Sequence, residues 1–297
     1  VLPAEYPRQS PLFIPPHKTF VMKALAFMLP VIAVIAVSVI GAGCSKAIDN
    51  IRNHPGDEIK YCQIEKFRLA TSISSNPLYP DSDYSTINIS YNAAGDPVSM
   101  ETSWDNPYNN LVGDDYHFRY DKQGRLTDYQ DNYNFEAYGP GGILIWHRYS
   151  YPRRNVVVDS LYAYGDMQLN DPAPPQSSFE GAVTTYHLDG EGRIVQTQLS
   201  VNGGSVTVTN SNYDGRGNLI RDGVSYDNNV NPGRTNKVWM FINQDYSMNC
   251  PLAMHYTNFN AFGLPQDIIG GYIFGYIFQH MTISYACSPG TPSAGVK

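Results

Sequence analysis

Tyr120-Asp121-Lys122-Gln123-Gly124-Arg125-Leu126 is the stretch from which the fold can be read. A carboxylate follows an aromatic residue, and a glycine follows the carboxylate three positions later. An Asp or Asn side chain accepts a hydrogen bond from the backbone N–H two residues on, which starts a turn. The glycine can take φ > 0, as the closing position of a type I turn with a bulge requires. Just upstream, Tyr116, Phe118 and Tyr120 alternate with His117 and Arg119. A period of two is the mark of a strand, so the segment predicts a β-hairpin.

Outward from this segment the same pattern recurs in both directions. It appears as Tyr91-Asn92-Ala93-Ala94-Gly95-Asp96-Pro97-Val98 and as Leu188-Asp189-Gly190-Glu191-Gly192-Arg193-Ile194. It returns as Tyr213-Asp214-Gly215-Arg216-Gly217-Asn218-Leu219 and as Phe259-Asn260-Ala261-Phe262-Gly263-Leu264-Pro265. Alternating runs flank several copies: Ile87, Ile89 and Tyr91 before the first, Val98, Met100, Thr102 and Trp104 after it, and Ala182, Thr184 and Tyr186 before the third. The expected fold is all-β, an antiparallel meander of β-hairpins forming a curled or partly closed sheet, because a sheet of this length must twist. One interruption is expected at Thr235–Gln244, where Val238, Trp239, Met240, Phe241 and Ile242 predict a short helix or a buried turn crossing one end.

The motif resembles the YD-repeat (Rhs-like) proteins, whose hallmark is Tyr-Asp-x-x-Gly-Arg-Leu. Residues 120–126 match it in full, and residues 213–219 match except for Asn218. The likeness is closer to a group of uncharacterised bacterial lipoproteins with degenerate repeats. These carry segments like Tyr226-Asp227-Asn228-Asn229-Val230-Asn231-Pro232 and Asp245-Tyr246-Ser247-Met248-Asn249, then a final repeat like Phe262-Gly263-Leu264-Pro265. The likeness covers roughly residues 60–287. It implies a fold of hairpins and an envelope location, with no established activity. The copies are few and unevenly spaced, which departs from the long arrays that build large shells.

Met22-Lys23, an uncharged run from Ala24 to Gly43, and Cys44 have the parts of a signal peptide: a basic start, an apolar core and a small-residue exit. The segment resembles a bacterial lipoprotein signal, which would make Cys44 the acylated first residue after cleavage. Gly41 stands where an apolar residue is usual three positions before the cysteine. An uncleaved membrane anchor or cleavage with release are the alternatives, since the uncharged run is long enough to span a bilayer. All three place the remainder outside the cytoplasm. Residues 1–21, with Pro3, Pro7, Pro11, Pro15 and Pro16, are read as lying upstream of the true start. Residues 22–43 are then the signal, 44–58 a tether, 59–288 the repeat domain and 289–297 a disordered tail.

The formal net charge is −7. Loss of Glu5, Arg8, Lys18 and Lys23 with the first 43 residues would leave about −9, which repels polyanions and excludes nucleic acid as a partner. Charged residues make up 16% of the chain, below the usual ~25%. The 23 tyrosines take up part of the difference; they suit strands and can sit half-buried with the hydroxyl in water. If Cys44 carries lipid, Cys62, Cys250 and Cys287 remain, enough for one disulfide and one thiol. A Cys62–Cys287 bridge, tying first strand to last, is one of the pairings. No two cysteines stand at metal-ligand spacing, and neither a metal nor a cofactor is expected.

No His-Glu-x-x-His, Gly-x-Ser-x-Gly or phosphate-loop pattern occurs. Gly139–Gly142 reads as a turn, and Arg216 stands where a calcium loop would need an oxygen ligand. The histidines His117, His147, His187, His255 and His280 fall in predicted strands. The expected function is a lipid-anchored binding or scaffolding protein of the bacterial envelope, at the outer membrane, with a glycan or protein ligand and no enzymatic activity. Trp104-Asp105-Asn106-Pro107-Tyr108 is the candidate contact, with Trp104, Asp105 and Tyr108 suited to stacking and hydrogen-bonding a sugar. The alternative for that segment is a loop whose Trp104 only packs on the sheet. The alternative for the protein is a polymer-degrading hydrolase, which needs as little as two suitably spaced carboxylates.

Overall fold

In the computed structural model, residues 54–70, 84–104, 114–133, 143–163, 173, 179–274 and 276–288 are described. The strands are β1 Cys62–Ala70, β2 Tyr84–Tyr91, β3 Pro97–Trp104, β4 Asp114–Tyr120, β5 Leu126–Tyr133, β6 Ile143–Arg153, β7 Val156–Ala163 and β8 Phe179–Leu188. Then come β9 Ile194–Val201, β10 Val206–Asn210, β11 Tyr226–Val230, β12 Asn249–Pro251, β13 His255–Phe259, β14 Pro265–Ile273 and β15 Tyr276–Cys287. Thirteen of these form one antiparallel sheet in the order β10-β9-β8-β7-β6-β5-β4-β3-β2-β1-β15-β14-β13, and β11 pairs with β12. The sheet is open, with β10 and β13 as its edges; it is an all-β meander of hairpins, as the periodicity predicts.

The first and last strands are neighbours inside the sheet. β1 and β15 pair in register from Cys62↔Cys287 to Ala70↔His280, and the sulfurs of Cys62 and Cys287 are bonded. The bridge closes a chain separation of 225 residues, which in the chain-entropy view removes much freedom from the unfolded state. A register shift between Ile64 and Lys66 re-phases β1. Cys62 and Ile64 before it, and Phe67 and Leu69 after it, are all buried. A bulge adds one residue to a strand and so lets the alternation change step without losing the core face.

That core face is covered by the segment between β10 and β13. Asn231 caps a 3-10 turn at Pro232–Thr235, and Asn236 caps helix α1, Lys237–Ile242, its side chain accepting from Val238 N–H at 2.8 Å. Short polar side chains at these positions satisfy N–H groups that a helix start leaves unpaired. The helix stands where Thr235–Gln244 is expected to interrupt the strands. Its rings join two halves of the core. Trp239 meets Phe118 and Phe274 edge-on, with centroids 5.6 and 5.4 Å apart. Phe241 meets Tyr149 and Tyr186 at 5.2 and 5.4 Å. Trp239 and Met240 have no exposed surface.

Arg234 is also fully buried. Its guanidinium donates to the carbonyls of Pro55, Asp57 and Tyr246, and burial pushes its pKa down to about 10. Pro55–Glu58, expected as part of a tether, make hydrogen bonds to the segment that covers the core. Ile59 N–H donates to Arg234 O at 2.7 Å, and Glu58 accepts from Lys237 N–H at 2.8 Å. Gly56 passes so close to Glu191 O that any Cβ would overlap it. A polar Pro-Gly stretch looks like a linker in sequence because nothing local reveals which distant donor its carbonyls will meet. Residues 1–53, including the expected signal segment and Cys44, and residues 289–297, expected as a tail, lie outside the described residues.

Candidate functional site

The repeat explains itself once the strands are paired. In every copy the Asp or Asn side chain accepts two backbone N–H groups, from the residues two and four positions on. For Asp121 these are Gln123 and Arg125, both at 2.9 Å. Asn92, Asp189, Asp214 and Asn260 repeat the arrangement. The glycines Gly95, Gly124, Gly192, Gly217 and Gly263 have φ between 73 and 88°. That is the left-handed region where a side chain is strained.

A second device links each hairpin to the next tyrosine. The carbonyl two residues after the glycine accepts a tyrosine hydroxyl in all copies. Pro97 O takes Tyr120 at 2.6 Å and Leu126 O takes Tyr151 at 2.7 Å. Ile194 O takes Tyr213 at 3.0 Å, Leu219 O takes Tyr226 at 2.7 Å and Pro265 O takes Tyr285 at 2.7 Å. Tyr91 extends the series onto Ile64 O at 2.6 Å. Where the motif carries arginine, its guanidinium bonds back to the turn carboxylate and lies over the same incoming ring. Arg125 pairs with Asp121 at 2.6 Å and sits 4.5 Å above Tyr151. Arg193 pairs with Asp189 at 2.8 Å and sits 4.2 Å above Tyr213.

The Tyr-Asp-x-x-Gly-Arg-Leu motif is therefore a clasp. Asp builds the turn, Gly closes it, Arg cradles the neighbouring tyrosine, and the last carbonyl receives its hydroxyl. Half-buried hydroxyls in water are what the tyrosine content predicts; instead these hydroxyls have carbonyl partners. Burial raises the phenol pKa of Tyr91, Tyr120 and Tyr213 well above the ordinary value and that of Tyr151 up to about 12. The signal for this role was present as a second tyrosine following most copies, but its partner carbonyl has no residue signature.

The clasps stand at one end of the sheet. At the other end lie Ala70, Tyr84, Trp104, Asp114, Tyr133, Ile143, Ala163 and Phe179, the strand ends between which 71–83, 105–113, 134–142 and 164–178 run. Trp104 is the last residue of β3 and pairs with Ser85. Asp105 and Tyr108 lie outside the described residues; of the candidate trio only the Trp104 backbone is described.

Two polar constellations escape sequence reading. On the sheet face away from the core, Arg68 stacks over Tyr84 at 4.1 Å, and the Tyr84 hydroxyl bonds His280 Nδ1 at 3.1 Å. His280 Nε2 faces Asp267 at 3.3 Å, where Thr282 also donates at 3.2 Å, and Asn258 reaches the other carboxylate oxygen. On the helix-covered face, His147 Nδ1 bonds Asp159 at 2.8 Å, with Tyr129 stacked 4.4 Å from the imidazole. The second oxygen of buried Asp159 has no partner among the described residues. Each group unites residues far apart in sequence, so no spacing announces it. A shallow depression beside the third clasp, lined by Arg154, Asn155, Leu188 and Asp189–Gly192, contains neither pair. No protein-family model matches this chain, and no curated protein does.

Proposed function

We propose that this protein is a lipid-anchored binding or scaffolding protein of the bacterial cell envelope. The anchor is the lipid on Cys44, the location is the outer membrane, and the ligand is a glycan or a protein. The observation that supports this reading best is the use of the tyrosines. Their hydroxyls are spent on carbonyls of the neighbouring hairpin, so the repeat produces a laced frame. Such a frame holds the strand ends opposite the clasps in fixed order, and connecting segments on a rigid scaffold are where binding residues concentrate. Trp104 closes one of those strands, and Asp105 and Tyr108 follow it in the sequence.

Two measurements test the reading. Mass spectrometry of the protein from bacterial membranes should find diacylglycerol on Cys44, and Cys44→Ala should release it from the membrane fraction. A glycan array and envelope pull-downs with the detergent-solubilised chain should give a ligand lost in Trp104→Ala. A water-soluble wild type, or binding that ignores the substitution, rejects the respective half.

The second reading, a hydrolase of envelope polymers, draws on Tyr84–His280–Asp267. There the carboxylate can hold one imidazole nitrogen as a donor while the other accepts the phenol proton, an arrangement that activates hydroxyls elsewhere. Release of reducing ends from peptidoglycan or polysaccharide, abolished by His280→Ala, would favour it over binding alone.

A further inference from the structure

The two edges of the sheet are treated differently. β13 is interrupted: Asn258 has φ 52°, its side chain reaches Asp267, and pairing with β14 jumps from Thr257↔Asp267 to Phe259↔Pro265. An edge whose ladder is broken in this way resists addition of another strand. Among the described residues β10 has no such interruption. Its sequence is Val206-Thr207-Val208-Thr209-Asn210, all five residues are exposed, and Val206 and Val208 keep 57% and 52% of their surface. From Ile194 to Tyr213 the chain has no charged residue and no histidine, although its net charge is −7.

The hydrogen-bond phase of this edge follows from its inner neighbour. β10 pairs with β9 as Thr207↔Leu199 and Thr209↔Thr197, and Ser211 N–H donates to Val195 O at 2.8 Å. In an antiparallel pair hydrogen-bonded positions alternate. Thr207 and Thr209 therefore bond inward, and Val206, Val208 and Asn210 point N–H and C=O outward. Asn212 continues the outward series, and its carbonyl already accepts Ile220 N–H at 2.7 Å.

We infer that β10 is a self-association edge, and that two copies of this chain join through antiparallel β10–β10 pairing centred on Val208. The strand is its own complement in that register. Val208 meets Val208 in a hydrogen-bonded pair, Val206 meets Asn210, and Thr207 meets Thr209. The outward groups of each copy face outward groups of the other, and like pairs of β-branched residues favour such ladders. The arrangement is two-fold and closes on itself. Gly204 of one copy then lies opposite Asn212 of the other, where Ile220 occupies the edge; Gly203 and Gly204 bring no side chains to that contact. The uncharged hairpin spares two acidic molecules any like-charge contact at this edge. A strand this short buries less than the ~800 Å² per partner of a standard interface, so the dimer is weak.

The full chain in detergent is examined by sedimentation equilibrium up to about 100 µM, a range suited to weak complexes. A monomer–dimer equilibrium is expected. Val208→Pro removes an outward donor without breaking a bond to β9 and should raise the dissociation constant at least tenfold while leaving the melting temperature in place. Val208→Cys should oxidise to a disulfide-linked dimer, whereas Val206→Cys, facing Asn210, should not. The wild type sets the background, since Cys62 and Cys287 are bridged and Cys250 is buried. A monomer throughout, a dimer that persists in Val208→Pro with no cross-link at position 208, or open-ended growth from β10 onto β13 would each overturn the inference.

Discussion

Replacing Tyr120 by Phe isolates one link of the clasp. The ring stays, and only the hydroxyl that donates to Pro97 O at 2.6 Å is lost. Pro97 is buried, so its carbonyl cannot turn to bulk water for a substitute. A typical hydrogen bond contributes about 1 kcal/mol net, and a buried partner left unmet costs about 1–3 kcal/mol. The expected destabilisation is ~2 kcal/mol, which for a domain of this size lowers the melting temperature by roughly 4–8 °C. Urea titration followed by tyrosine fluorescence measures it, with an unchanged slope showing that the unfolded state is unaffected. Tyr213→Phe removes the equivalent bond to Ile194 O, distant along the sheet. Because separated sites add, the double variant should lose about twice as much. A single variant within ~0.5 kcal/mol of wild type, or a double no worse than either single, would refute the view that these hydroxyls lace the sheet.

The same tyrosines set an alkaline limit. Burial holds Tyr91, Tyr120 and Tyr213 protonated well above the ordinary phenol value of 10.0, and Tyr151 up to about 12. A phenol whose folded pKa is raised lends stability that is whole below pH ~10 and drains away as pH climbs toward the folded value, because only the unfolded chain gives up the proton. Stability should therefore fall steeply from pH 10 upward, and phenolate absorbance should appear together with loss of the β circular-dichroism signal; full tyrosine ionisation of a still-folded chain would contradict this. A third test compares Gly124→Ala with Gly217→Ala. Both glycines have positive φ, but a Cβ at Gly124 meets nothing within 4 Å while one at Gly217 comes to 3.0 Å from Met248. The first should cost ~1 kcal/mol of backbone strain, the second that amount plus an overpacking penalty of about 1–3 kcal/mol; equal losses in chemical denaturation would count against the difference in packing.

The sequence alone determined the local grammar. Asp121 with Gly124, and the matching pairs in the other copies, sufficed for the hairpins, because a turn is made by neighbours and each needs its own acceptor and its own φ > 0 position. Alternation sufficed for the strands that flank the repeats. The helix at Lys237–Ile242 was legible as a break in that alternation. Tertiary structure alone decided the rest. Which carbonyl receives each tyrosine, that Arg234 locks Pro55–Glu58 into the fold, that Tyr84 meets His280 and Asp267, and that β1 lies beside β15 are all contacts between residues far apart in the chain. Such contacts depend on strand order and register, and these follow from the summed burial of a whole face rather than from any segment's own preference.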